Sequence, residues 1–210
     1  MNNLGNVYAK SGNLSQATEF YEQSLAITRE IGDLQSEGQA LGNLGGIYLD
    51  LKKPEKAIKY CEQQLAIARK IGNRYDESAT LGNLGIAYRQ LCNINRAIEF
   101  YEQRIEISHE IGDRQGEGRT LGNLGLAYEN LGDPDRAIEL YEQRLEIARK
   151  IDDAWGEAMT SFNMARILLD KNPIKAKQYA EFALQIFKKN RNQQKAHITE
   201  LLINLIQFKL

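Results

Sequence analysis

The sequence predicts an all-α protein, a solenoid of antiparallel helix pairs, on three observations. LGNLG stands at 41–45, 81–85 and 121–125, a spacing of 40 residues, and NLGN opens the chain at 3–6. Self-similarity at such a period is the mark of stacked supersecondary units, each burying its apolar face on the next. Every copy runs into a segment whose apolar residues recur at helical spacing. Prolines number only three in 210 residues, and clusters of Gly, Asn and Asp recur between the periodic segments, so long helices should alternate with short turns.

Laid over itself at that period, the chain aligns Leu4, Leu44, Leu84 and Leu124 with Met164, and Gly5, Gly45, Gly85 and Gly125 with Ala165. Tyr8, Tyr48, Tyr88 and Tyr128 follow, with Leu168 in the fifth copy. Next come Ala17, Ala57, Ala97, Ala137 and, after a one-residue deletion, Ala176; four positions beyond stand Tyr21, Cys61, Tyr101, Tyr141 and Ala180. Each unit thus holds a helix A and a helix B. Gly12-Asn13, Lys53-Pro54, Cys92-Asn93 and Gly132-Asp133-Pro134 separate A from B, with Pro54 and Pro134 suited to a first helical turn. Gly32-Asp33, Gly72-Asn73, Gly112-Asp113 and Asp152-Asp153 separate the repeats, offering a left-handed stop and then an N-cap. One array over 1–210 is expected, with repeats at about 1–32, 33–72, 73–112, 113–152 and 153–190 and a capping helix at about 193–209. In that last helix Ile198, Leu201, Leu202, Leu205 and Ile206 form one apolar stripe, with Glu200, Asn204 and Gln207 outside. Met1 falls close before the first Leu-Gly pair, so the first A helix lacks its initial turns. The expectation is either the C-terminal part of a longer array or a homodimer through the N-terminal edge.

The residues L-x2-L-G-x2-Y…A-x3-Y resemble the tetratricopeptide pattern, with Leu where that pattern often has Trp. The resemblance implies a right-handed superhelical solenoid of about five repeats whose A helices line a concave groove. The period is longer than the family's usual one, and Arg69, His109 and Arg149 stand where the family usually has a helix-ending Pro. Without that proline each B helix can run on for another turn. The longer LGNLG form is similar to the arrays of the Leu-Gly-Asn-repeat modulators (Pins family) and kinesin light chains. The first of these bind partner peptides in the array and a G protein through separate C-terminal motifs; no such motif is present here, so G-protein regulation is not carried over.

On helix A of the second repeat Ala40, Leu41, Leu44, Gly45, Ile47 and Tyr48 share one face, the expected core face. Gly45 should admit a neighbouring helix closely at Ala57. Gln39, Gly42, Asn43, Gly46 and Asp50 point the other way, into the groove that the resemblance implies. Gly42, Gly82 and Gly122 should keep its floor low. Asn3, Asn43, Asn83, Asn123 and Asn163 should form a ladder, since an amide both donates and accepts and can read a peptide backbone; the competing role is a bond to a neighbouring helix. Their neighbours vary between repeats, with Gly46, Ile86 and Leu126 at one groove position, Arg89 at a second and Arg119 at a third. A constant Asn beside variable neighbours suggests a backbone clamp with side-chain pockets. The mixed chemistry does not suit the two-carboxylate clamp of chaperone-binding relatives. Arg104 and Arg144, at the position of Gln64 and Ser24, are expected to face the next repeat, with room for Arg104 at Gly122 and with Glu117 and Glu157 as their partners.

A net charge of −1 exerts no general pull toward nucleic acid or anionic membrane. The N-terminus has no basic region before an apolar core, and no run approaches the ~18 apolar residues of a membrane span, so a cytoplasmic location is the default. Cys61 and Cys92 replace different residue types, a core aromatic and a turn glycine, and read as incidental thiols. Glu22, Glu62, Glu102 and Glu142 fall opposite the apolar stripe of helix B, as a solvated face. Tyr75 and Trp155 read either as rim anchors or as packing on the previous repeat. His109 and His197 are isolated, no phosphate loop follows a strand, and no nucleophile, base and orienter come together. Neither enzyme activity, cofactor nor metal is expected. The functional expectation is a scaffold that binds a peptide segment of a protein partner in its groove. Two alternatives stand beside it: self-association through the end helices, and a regulatory fragment of a larger signalling protein.

Overall fold

The computed structural model describes all 210 residues. They form eleven helices: α1 (Asn2–Lys10), α2 (Leu14–Ile31), α3 (Leu34–Asp50), α4 (Pro54–Ile71), α5 (Arg74–Gln90), α6 (Ile94–Ile111), α7 (Arg114–Leu131), α8 (Pro134–Lys150), α9 (Ala154–Lys171), α10 (Pro173–Lys189) and α11 (Gln193–Lys209). Odd-numbered helices are A helices and even-numbered ones B helices. Without the helix-ending proline the B helices reach 17 or 18 residues. No helix is long and apolar enough to cross a membrane.

The turns follow from the residues placed there. Asn13, Asp33, Asn73, Asn93, Asp133, Asp153, Asn172 and Asn192 each accept a bond from a first-turn amide, satisfying a donor the helix itself cannot. Pro54, Pro134 and Pro173 open their helices. Five glycines end helices at φ between 70° and 81°, and Lys52, Cys92, Asp152 and Arg191 take the same left-handed conformation at 55–57°, at a steric cost of ~1–2 kcal/mol each.

Two compact units share the chain, Met1–Asp113 and Arg114–Leu210. The first packs Ala17, Tyr21, Leu41, Leu44, Ala57 and Ala87 into one cluster and Cys61, Leu65, Leu81, Leu84 and Ile107 into another. The second is built on Ala137, Tyr141, Met164, Ala176, Ala180 and Ile206, with Ala158, Phe162, Ala183 and Phe187 beside them. The predicted core face of α3, from Ala40 to Tyr48, is buried throughout. In the first unit α3 touches both α1 and α5, and in the second α9 touches both α7 and α11, while within each unit no two B helices bring their backbones as close, α2 and α4 meeting through the side chains of Arg29 and Gln63. The A helices therefore crowd together and the B helices fan apart.

The glycines pack differently from expectation. A methyl on Gly45 would lie 2.6 Å from the Cys61 sulfur, while the Ala57 carbonyl is 3.8 Å away. The close neighbour is thus the residue four beyond the alanine. Gly5, Gly85 and Gly125 in the same way lie against the rings of Tyr21, Tyr101 and Tyr141. Gly42, Gly82 and Gly122 do not simply lower a floor: they seat Gln64, Arg104 and Arg144 from the B helix of the same repeat. The guanidiniums of those arginines lie against their own A helix, because the missing Cβ opens a channel there. Gly82, not Gly122, is the seat of Arg104.

Glu157 pairs with Arg149 at 2.6 Å rather than with Arg144, and Glu117 with Arg114 at 2.8 Å. The Arg149 pair recurs at two other repeat junctions as Arg29–Glu37 and Arg69–Glu77, both at 2.8 Å. The residue that stands where a helix-ending proline is usual thus ties α2, α4 and α8 to the A helices after them. Trp155 packs edge-on against Phe187 of its own repeat, while Tyr75 is exposed. Burial pushes the Cys61 thiol up to about 12, with Glu62 adding to it, so it is inert at neutral pH.

Candidate functional site

The candidate site is the solvent-facing side of the A helices. Helical spacing sets Gln39, Asn43, Gly46 and Asp50 in one line on α3, opposite the buried Leu41, Leu44 and Tyr48. Asn3 is exposed, and Asn43, Asn83 and Asn123 are half-buried. Asn163 is only 6% exposed beside Phe162, so the last rung is covered. No hydrogen bond joins any of the five amides to the rest of the chain.

Around them the first unit gathers Gly46, Ile86 and Arg89. Gly46 has open space within 4 Å of where a Cβ would stand, and Ile86 and Arg89 are half-buried. The second unit gathers Arg119, which is exposed, with the half-buried Leu126 and Glu129. Neighbouring A helices are cross-linked at this face. Gln90 donates to the Leu49 carbonyl at 3.3 Å in the first unit, and Arg166 pairs with Glu129 in the second.

The sequence reading missed the tyrosines beneath the glycines. Tyr21 donates to Asn6 at 2.6 Å, and Tyr141 to Glu129 at 2.5 Å. Their rings pass under Gly5 and Gly125, so a residue anchored in helix B delivers its hydroxyl to the A-helix face. Burial raises the Tyr141 hydroxyl far above its usual value, and Glu129 adds to the shift. Burial also raises Tyr101, against the guanidinium of Arg89. The available signal was the constant spacing from glycine to tyrosine, which fixes the pair but not the crossing that aims the hydroxyl.

The cleft between α7 and α8 is lined by Arg114, Glu117, Gln143 and Lys150, and that among α8, α9 and α10 by Arg149, Glu157 and Tyr179. Neither includes an asparagine of the row. The amides stand on an open surface, which suits a polypeptide segment better than a small molecule.

No curated protein sequence matches the chain. Among solved structures, the chain is similar to a signal-transduction ATPase with a tetratricopeptide repeat sensor from Pyrococcus horikoshii, at 21% identity and a TM-score of 0.85, over 96% of this chain and 31% of that one. It thus spans less than a third of that protein's length. A Rap protein complexed with competence and sporulation factor matches at 17% identity and 0.70, over 98% of this chain and 62% of that one. A putative kinesin light chain with nearly identical repeats from Podosopora anserina matches at 20% and 0.62, over 99% and 93%. At such identities the likeness is one of fold. The model of the tetratricopeptide repeat matches residues 1–60, 36–110, 105–150 and 116–189. With its helix pairs in register and nearly every repeat matched, the chain belongs to the tetratricopeptide repeat family.

Proposed function

We propose that the chain is a protein-interaction scaffold whose A-helix face holds a peptide segment of a partner, with the asparagine row gripping the peptide backbone and Gly46, Ile86, Leu126, Arg89 and Arg119 sampling its side chains. The observation that carries this reading is the unspent hydrogen-bonding capacity of the amides. Asn in a helix interior costs several tenths of a kcal/mol relative to Ala. No internal bond offsets that cost, and a peptide amide can use both the donor and the acceptor. The Rap protein solved with competence and sporulation factor lends the fold a precedent. A helix-packing distance of ~8–10 Å between rungs would meet an extended backbone about every third residue.

The test is a peptide library selected on the immobilised chain, followed by titration of a selected peptide against Asn83→Ala. Affinity should fall by ~1 kcal/mol or more, while the melting temperature holds or rises because Ala is the better helix former. A fallen melting temperature with unchanged affinity would assign the asparagines to structure.

A further inference from the structure

The row changes character at its C-terminal end. Residue by residue α11 repeats an A helix. Asn192 caps it as Asp153 caps α9, and the Thr199 hydroxyl donates to the carbonyl four residues back, as do Thr80, Thr120 and Thr160. In that register Ile198 stands where Met159 and Arg119 stand, Leu202 where Asn163 and Asn123 stand, and Leu205 where Arg166 and Leu126 stand. Leu201 takes the place that seats Arg144 at Gly122. Ile198, Leu201 and Leu205 are 41%, 55% and 48% exposed. The side on which the B helix of a further repeat would pack carries His197, Glu200, Asn204 and Gln207 instead. Leu201 and those polar groups share the side on which a B helix packs, whereas Ile198 and Leu205 lie on the A-helix face.

Two A helices away, the same face of the second unit carries two arginines with no paired carboxylate. Arg144 is half-buried on the bare backbone of Gly122, and Arg119 lies one turn earlier on α7. Neither makes an ion pair or hydrogen bond within the chain. Burial pushes the Arg144 guanidinium below its usual value; Asp153 and Tyr141 oppose that shift and Arg119 adds to it. A half-buried guanidinium without an acceptor in the chain keeps its donors free for a ligand carboxylate.

Resting on the peptide-binding reading, we propose that the second unit takes an extended partner segment with carboxylate side chains at one end, held by Arg119 and Arg144, and bulky apolar side chains at the other, held by Ile198 and Leu205. From α7 to α11 is two helix-packing distances, ~16–20 Å, which an extended chain spans in about five or six residues. Charge complementarity at α7 and the polar outer side of α11 select this occupant over a second copy of the chain.

The test uses the full chain and dye-labelled peptides carrying Glu-Glu and Leu-Phe about five Gly/Ser residues apart, in both orders, with acid-only and apolar-only controls, read by fluorescence anisotropy. One two-ended order should bind about tenfold or more tighter than either control. Arg119→Gln should remove the advantage of the acid end alone, and Leu205→Glu that of the apolar end alone; both residues are exposed, and melting curves verify folding. Added salt should weaken only the acid contribution. Two-ended peptides that bind no better than the controls overturn the proposal. So does a chain that light scattering finds dimeric and that Leu205→Glu returns to monomer. Binding that is sensitive to Asn123→Ala but not to Arg119→Gln or Leu205→Glu overturns it and leaves the backbone clamp standing. The reverse pattern supports it and removes the clamp.

Discussion

Each conspicuous glycine is half of a pair. Gly85 takes the Tyr101 ring and Gly122 the Arg144 guanidinium, and the fifth repeat shows the same volume redistributed: Phe162 replaces that second glycine and Ala183 the arginine, while Ala165 and Ala180 share the space of glycine and tyrosine. Interiors are packed tightly enough that one side cannot grow unless the other shrinks. Gly85→Ala, whose new methyl would stand 2.3 Å from the Tyr101 ring, should therefore lose ~1–3 kcal/mol in urea titration despite its gain in helix propensity. Gly46→Ala meets nothing within 4 Å and should gain ~0.5–1 kcal/mol. Equal effects at the two sites would refute the pairing. The glycines were legible as packing residues, but the identity of their partners depends on how helices A and B cross, and the sequence places Ala57 and Cys61 on the same face of helix B.

At the level of the helix, the junctions between repeats hold the most specific chemistry. Glu77 is 5% exposed and accepts from Arg69 at 2.8 Å and Arg74 at 2.6 Å. Burial raises its carboxyl, but the hydrogen bonds of the two arginines outweigh that and hold it below the usual range. Its folded pKa thus lies below the unfolded value, so its contribution is complete above about pH 4.3 and is lost as pH falls through the folded value. Glu77→Gln should cost ~1.5–3 kcal/mol at pH 7, and the gap to wild type should close on acidification below pH ~4. A gap independent of pH would show that the carboxylate charge contributes nothing. The helix boundaries were open to reading because Gly, Asn, Asp and Pro have local reasons for standing where they do. The junction pairs were not, since Arg69 and Glu77 meet only once the turn at Gly72-Asn73 has reversed the chain.

Over the whole chain, the residues that meet lie close in sequence. Every close backbone contact between helices within either unit joins sequence neighbours or successive A helices, so stability accumulates repeat by repeat and rapid folding is expected. The helix with least support should open first: α1 has nine residues and leaves Leu4 and Val7 exposed, whereas α5 packs on α4, α6 and α3. Hydrogen exchange followed by mass spectrometry should find α1 exchanging well ahead of α5, and equal protection would contradict nearest-neighbour additivity. The period revealed the repeat plan, while the apolar end of the proposed binding face became legible only when α11 was set in register with the other A helices.

Crowded A helices and separated B helices also have a mechanical consequence. Bending a unit so that its A side opens must break seams such as Gln90 to Leu49 and Arg166 to Glu129, whereas closing the gaps between B helices brings no backbones together at first and meets only long side chains such as Arg29 and Gln63. Each unit is therefore a spring with unequal stiffness in its two directions. A peptide lying along the A side would span the seams that opening strains, and its binding would stiffen the direction already the harder to bend.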